Sequence, residues 1–188
     1  MIVDAPPDAG PPVLETIRDE RLQPRLIVLT HSHWDHIVDT NLLARTTGAG
    51  VAAHPDSVPA LTDPNALFGG GMLPVQAEPV APNMLLDDGD TVELGGFLFH
   101  VITTPGHAPG QISLYEPGQR VLFGGDTLFS RGYGRTDIPG ASVEQTLATF
   151  ERLLELPDDV VVLPGHGPST TIGDERDWLQ RAVDRGAL

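Results

Sequence analysis

Twenty-one glycines and eighteen prolines are spread along the whole of this 188-residue chain. Scattered in this way they punctuate many short elements and mark no linker. Between the breaks the chain reads as short strands and helices in turn. Residues 26–29, Leu-Ile-Val-Leu, form a continuous apolar run that reads as a buried strand, ending where polar residues begin at Thr30. Residues 41–45 read as a helix closed by Gly48, and 51–53 as the next strand. This strand, helix, strand rhythm is that of an α/β layer. Residues 1–3 are strand-like and lead into an Asp4-Ala5-Pro6 turn.

From residue 55 to 82 the prolines and the Gly69-Gly70-Gly71 run indicate loops with room for a helical turn, and a loop this long in a small domain is often functional. Residues 91–94, 97–103, 112–115 and 121–123 read as strands separated by Gly or Pro turns, together a second sheet. Val143, Leu147, Phe150 and Leu154 recur at helical spacing after Ser142, an N-cap with Gln145 three residues on. Residues 160–163 read as another buried strand, and 174–183 as a terminal helix carrying Trp178, Leu179 and Ala182. Helices outside and strands inside, in two halves, predict an α/β sandwich of layers in a single domain over residues 1–188.

Composition narrows what such a domain does. Hydrophobic residues at 40% and charged residues at 20% are ordinary for a globular chain, which sets disorder aside. The absence of cysteine removes disulfides, thiolate ligands and thiol nucleophiles, so any metal or catalytic site must use His, Asp, Glu, Ser or Tyr. A net charge of −15 opposes a phosphate backbone, so no nucleic-acid partner is expected. No apolar stretch suits a membrane span and the first residues do not resemble a signal peptide, which predicts a cytoplasmic protein without a membrane partner.

The chemistry concentrates in Thr30-His31-Ser32-His33-Trp34-Asp35-His36, directly after the buried strand of residues 26–29. In extended chain, residues two apart point the same way, so His31 and His33 can face one ion. The turn that follows aims Asp35 and His36 at a neighbouring point, an arrangement suited to two adjacent metals. His107, Asp126 and His166 each follow a strand and sit beside glycine, in Pro105-Gly106-His107, Gly124-Gly125-Asp126 and Pro164-Gly165-His166. Glycine there lets the backbone turn sharply and approach closely. His54, before Pro55, and His100, within a strand, read as structural histidines.

His-x-His-x-Asp-His, then Pro-Gly-His, Gly-Asp and Gly-His, in that order over nearly the whole chain, resembles the metallo-β-lactamase fold superfamily. The segments 123–129 (Phe-Gly-Gly-Asp-Thr-Leu-Phe), 134–137 (Gly-Arg-Thr-Asp) and 165–168 (Gly-His-Gly-Pro) are similar to the short, single-domain glyoxalase II-like hydrolases. The resemblance implies an αββα sandwich with two divalent metals at the strand ends. It assigns His31, His33 and His107 to the first metal, Asp35, His36 and His166 to the second, and Asp126 as the bridge. Zinc suits the donors, and iron or manganese accept the same set. The implied reaction is attack on a thioester or ester carbonyl of a small acyl-thiol or ester substrate by a hydroxide generated on the metals and positioned by Asp35 and Asp126. The bridging Asp126 argues against the true β-lactamases of the superfamily.

Where the family departs from this chain, other expectations follow. Glyoxalase II carries a helical extension that grips glutathione, whereas 22 residues follow His166, so glutathione itself is not implied. In place of a glycine-flanked lysine near the substrate, this lysine-free chain has Tyr133-Gly134-Arg135, making Arg135 and Tyr133 candidate substrate contacts; pairing of Arg135 with Asp137 is the structural alternative. Family members open with a strand hairpin that this chain lacks, which predicts an open sheet edge, lower stability than an extended form, or self-association into a homo-oligomer. Two rivals remain: a mononuclear iron persulfide dioxygenase, which shares the Gly-Arg-Thr-Asp segment, and a non-catalytic metal-binding remnant. Trp34 and the Gly-His-Gly-Pro segment favour the hydrolase.

Overall fold

The computed structural model describes residues 1–64 and 77–188. The glycine run at 69–71 and Pro74, read above as loop, lie outside the described residues. The chain divides into two compact units, Met1–Leu86 and Asp87–Leu188.

In the first unit β1 (Ile2–Val3), β2 (Leu26–Val28), β3 (Gly50–Ala53) and β4 (Met84–Leu85) lie in that order in one parallel sheet. Parallel strands are buried by crossover helices. Helix α1 (Gly10–Asp19) supplies Val13 and Leu14; after the single turn of α2 (Trp34–Ile37), helix α3 (Thr40–Thr47) supplies Leu43 and Ala44. These pack with Ile27, Leu29, Val51 and Ala53 in one core. Helix α3 ends on Gly48 at φ 71, the left-handed cap predicted for it. Helix α1 has no counterpart among the elements read from the sequence. Its first turn holds Pro11 and Pro12, where a missing N–H costs nothing, and the Gly10 N–H donates to Asp39 Oδ2 at 2.7 Å, a cap supplied from 29 residues away. His54 Nδ1 accepts from the Asp56 N–H at 3.1 Å and starts a short turn before α4 (Val58–Thr62).

The second unit opens with β5 (Thr91–Leu94), β6 (Phe97–Thr103), β7 (Ile112–Glu116) and β8 (Val121–Gly125), an antiparallel meander. A small ribbon, β9 (Leu128–Phe129) and β10 (Gly132–Tyr133), precedes helix α5 (Val143–Leu153). Then β11 (Val161–Pro164) returns parallel to β8, β12 (Thr170–Thr171) pairs with β11, and helix α6 (Ile172–Arg185) ends the chain. The six-stranded order is β12-β11-β8-β7-β6-β5. Ser142 Oγ accepts from the Gln145 N–H at 3.2 Å, capping α5 as its sequence predicts. Phe150 and Leu153 of α5 and Leu179 and Ala182 of α6 pack with Leu122, Val160 and Val162. Ahead of β5, burial would raise the Asp88 carboxyl, but hydrogen bonds from Thr103 and Arg152 outweigh it and hold the group below its ordinary range, tying α5 to the end of β6. His100 lies half-buried within β6, opposite Thr91 and Tyr115. No helix of the described residues is long and apolar enough to cross a membrane.

Candidate metal centre

In the first unit the end of β2 delivers Thr30 and His31, both fully buried, and His33 takes an extended backbone before α2 carries Asp35 and His36. A residue that the sequence reading passed over organises them. Asp4, at φ 58 directly after β1, accepts from the Thr30 N–H (2.7 Å) and the Thr30 hydroxyl (2.8 Å), and its Oδ2 lies 2.8 Å from His36 Nδ1. The proton assignment follows from donor direction. Because the Thr30 hydroxyl donates to Asp4, His31 Nδ1, 3.1 Å from that oxygen, is the donor to it. His36 Nδ1 likewise donates to the carboxylate. In the neutral ring this places the free lone pair on Nε2 of both histidines, directed away from this network and suited to binding a metal. His31 Nε2 lies 3.1 Å from His33 Nδ1, and the His31 and His36 ring centroids are 4.1 Å apart.

In the second unit the adjacent parallel strands β8 and β11 end together. Asp126 follows β8 directly, and the Gly165 N–H donates to the Gly125 carbonyl at 2.8 Å, so that His166 emerges beside it. His107 comes from the turn after β6. Its Nδ1 donates to the Arg135 backbone carbonyl at 2.9 Å, so that in the neutral ring Nε2 is the nitrogen open to a metal. His107 Nε2 and His166 Nε2 each lie 3.6 Å from the same oxygen, Asp126 Oδ2. That separation is too long for a hydrogen bond. It matches two donors on one tetrahedral ion, which at bonds of about 2.1 Å stand about 3.4 Å apart. Asp126 Oδ2, equally close to both imidazole nitrogens, would serve as a shared donor to bound metal. Gly134 is dictated by the same crowding: a Cβ there would strike the Asp126 carbonyl and come within 2.7 Å of the His107 ring.

The structure thus groups His31, His33 and His36, with Asp35 in the same turn, in one unit, and His107, Asp126 and His166 in the other. Buried His and carboxylate donors with fixed tautomers fit divalent zinc, iron or manganese. His166 is half exposed, with the Phe129 ring edge-on to it at 6.2 Å. Of the two candidate substrate contacts, Arg135 forms a two-pronged pair with Asp137 at 2.9 and 3.0 Å, both side chains about 70% exposed. The hydrogen bonds and charge of that guanidinium hold the Asp137 carboxyl below its usual range. Tyr133 is half-buried against Phe150 and Trp178. Asp4 was missed because its partners lie 26 and 32 residues away; an acidic residue ending a strand is the only local signal.

The role of Asp4 gives a direct expectation. Asp4→Asn keeps the shape but replaces the charged acceptor, so His36 loses the carboxylate that fixes its tautomer, and metal affinity is expected to fall about 10- to 100-fold. Chelator competition on the purified variant measures this, and an unchanged affinity would show that His36 needs no such partner.

Comparison with known proteins places these residues in a lineage. A family pattern described as the metallo-beta-lactamase superfamily matches residues 1–166. A Bacillus subtilis protein named probable metallo-hydrolase YqgX is 36% identical over 176 residues, covering 92% of this chain and 82% of its own. Hydroxyacylglutathione hydrolase GloC of Haemophilus influenzae is 32% identical over 174 residues, covering 87% of this chain and 78% of its own. Among solved structures, BLEG-1 B3 metallo-beta-lactamase superposes with a TM-score of 0.84 at 37% identity, over 93% of this chain and 84% of its own. The di-iron-bound form of TTHA1623 gives 0.79 at 36% identity, over 93% and 85%. ETHE1 from Myxococcus xanthus gives 0.77 at 27% identity, over 97% and 73%. The strand-end histidines and aspartates, the sheet of each unit and these matches lead to one conclusion: the chain belongs to the metallo-β-lactamase superfamily and has its fold.

Proposed function

We propose that this metal-dependent hydrolase of the metallo-β-lactamase superfamily holds two divalent ions and cleaves the carbonyl–sulfur bond of a small acyl-thiol. The observation that carries the reading is Asp126 Oδ2, placed 3.6 Å from both His107 Nε2 and His166 Nε2. His31, His33 and His107 hold one ion, Asp35, His36 and His166 the other, and Asp126 both. When bound, such ions polarise a carbonyl and lower the pKa of water to about 7. Asp35 and Asp126 would orient the attacking water by accepting hydrogen bonds from it. Asp4 and the Arg135 carbonyl engage Nδ1 of His36 and His107, so that Nε2 of each ring is the nitrogen offered to the ions. Arg135, held at the surface by Asp137, is the proposed contact for an anionic thiol carrier, with Tyr133 beside it in sequence as the second.

The relative named hydroxyacylglutathione hydrolase supports thioester cleavage, and the di-iron neighbour supports a two-metal centre. The likeness to ETHE1 keeps the dioxygenase reading as the specific competitor. Protein loaded in turn with zinc, manganese or iron is to be given S-lactoylglutathione, a panel of other thioesters and a β-lactam, under nitrogen and in air. Release of free thiol at equal rates with and without oxygen is the expected result. Oxygen consumption with glutathione persulfide, with no thioester cleaved under any metal, decides for the dioxygenase.

A further inference from the structure

We propose that Gln111 is a positioning residue that fastens the turn carrying His107 to the turn carrying Asp126 and so sets the spacing of their ligand atoms. The inference rests on the metal-centre reading above. Gln111 directly precedes β7, and its amide nitrogen donates to the Thr104 carbonyl at 3.1 Å and to Thr127 Oγ1 at 2.8 Å. Thr104 begins the turn that leads to His107, and Thr127 follows Asp126. The hydroxyls continue in one direction. Thr127 donates to Thr104 Oγ1 (3.0 Å), which leaves Thr104 to donate to Ser113 Oγ (3.1 Å) and Ser113 to the Gly124 carbonyl (3.4 Å).

The backbone repeats the clasp. The Thr104 N–H donates to the Gln111 carbonyl at 2.8 Å, and the Gln111 N–H to Ala108 at 3.3 Å. Thr104, Gln111, Ser113 and Thr127 are each 5% exposed or less, so bulk water cannot substitute for a lost partner and each bond counts more than at a surface. The amide cannot be flipped. Turned over, its oxygen would face the Thr104 carbonyl, acceptor against acceptor. Correctly placed, Gln111 Oε1 is buried without a hydrogen-bond partner among the described residues, and Gln111 lines a cavity of about 10 Å³ together with His107, Asp126 and Thr127. That volume suits one water. We assign it to a water that completes the Gln111 amide and extends the clasp to the ligand residues.

A glutamine that only filled space would be replaced by methionine, of similar length and volume, with no effect on metal binding beyond that of lower stability. The test measures metal affinity by chelator competition, the melting temperature of the metal-free protein and amide hydrogen exchange, for Gln111→Met, Thr127→Val, Thr127→Ser and the Gln111→Met/Thr127→Val pair. Gln111→Met and Thr127→Val are each expected to weaken metal binding about 10- to 100-fold. The pair should be no weaker than the worse single variant, since both cut one link, and Thr127→Ser, which keeps the hydroxyl, should bind as the parent does. Unchanged affinity in Gln111→Met, or Thr127→Ser as impaired as Thr127→Val, overturns the proposal. Exchange on metal-free protein separates this from the metal-centre reading: Gln111→Met should speed the Thr104 and Thr127 amides by about tenfold while α5 amides keep their rates. Unchanged exchange sinks the clasp even if the parent binds two ions, whereas a parent that binds none sinks the metal reading and leaves exchange to decide the clasp.

Discussion

Replacing Asp126 by alanine is expected to lower the metal content from close to two ions per chain to fewer than one and to reduce turnover by about a thousandfold or more, the scale at which lost preorganised charge is felt. The reason is geometric. Asp126 Oδ2 stands 3.6 Å from the Nε2 of His107 and of His166, so in the proposed centre its removal would take a donor from both ions, together with a charge that orients the attacking water. Asp35→Ala is the matched control, because Asp35 serves one ion in this arrangement. It should leave about one ion behind. Elemental analysis decides: one tightly held iron in the parent, indifferent to Asp35→Ala, would end the dinuclear reading.

The largest loss of stability is expected from Phe150→Ala. The ring is fully buried, with Tyr133 at 5.8 Å and Trp178 at 5.4 Å between centroids, both close to edge-on. Deleting a core phenylalanine costs about 3–5 kcal/mol through lost burial and the cavity left behind. For a chain of this length each kcal/mol lowers the melting temperature by about 2–4 °C, so a fall of roughly 10 °C is expected. A fall within about 2 °C, with denaturant midpoints agreeing, would show that the neighbouring rings close the space. Tyr133 adjoins the Gly134–Arg135 segment, so the same variant tests whether this aromatic cluster steadies the carbonyl that holds His107.

Most of the strands and the later helices were legible because their signals are local. The Leu-Ile-Val-Leu run, the Ser142 and Gln145 pair and Gly48 each encode a feature within four residues, and the structure shows β2, the α5 cap and the α3 end at those places. Ligand candidates were legible for the same reason: histidines two and three apart after a strand can be recognised without knowing where the strand goes. What escaped depends on long-range closure. A proline-rich opening reads as loop until Asp39 caps it from 29 residues away, and Asp4 reads as a turn acid until Thr30 and His36 arrive. Gln111 carries no motif, and the Gly-Arg-Thr-Asp segment points to the Arg135 side chain and not to its carbonyl, because the partners are 16 and 28 residues distant.

The acceptor for His107 Nδ1 is a main-chain carbonyl, which every amino acid possesses. No codon change at position 135 can delete it. Natural variation can therefore rewrite the Arg135 side chain, and with it whatever the surface recognises, while the wiring of His107 is inherited intact. The steric veto sits one residue earlier, at Gly134, where any side chain collides with the Asp126 carbonyl and the His107 ring. An alanine scan would score position 135 by its guanidinium and never register its carbonyl, so a contributor to the metal centre can hide in plain view of mutagenesis.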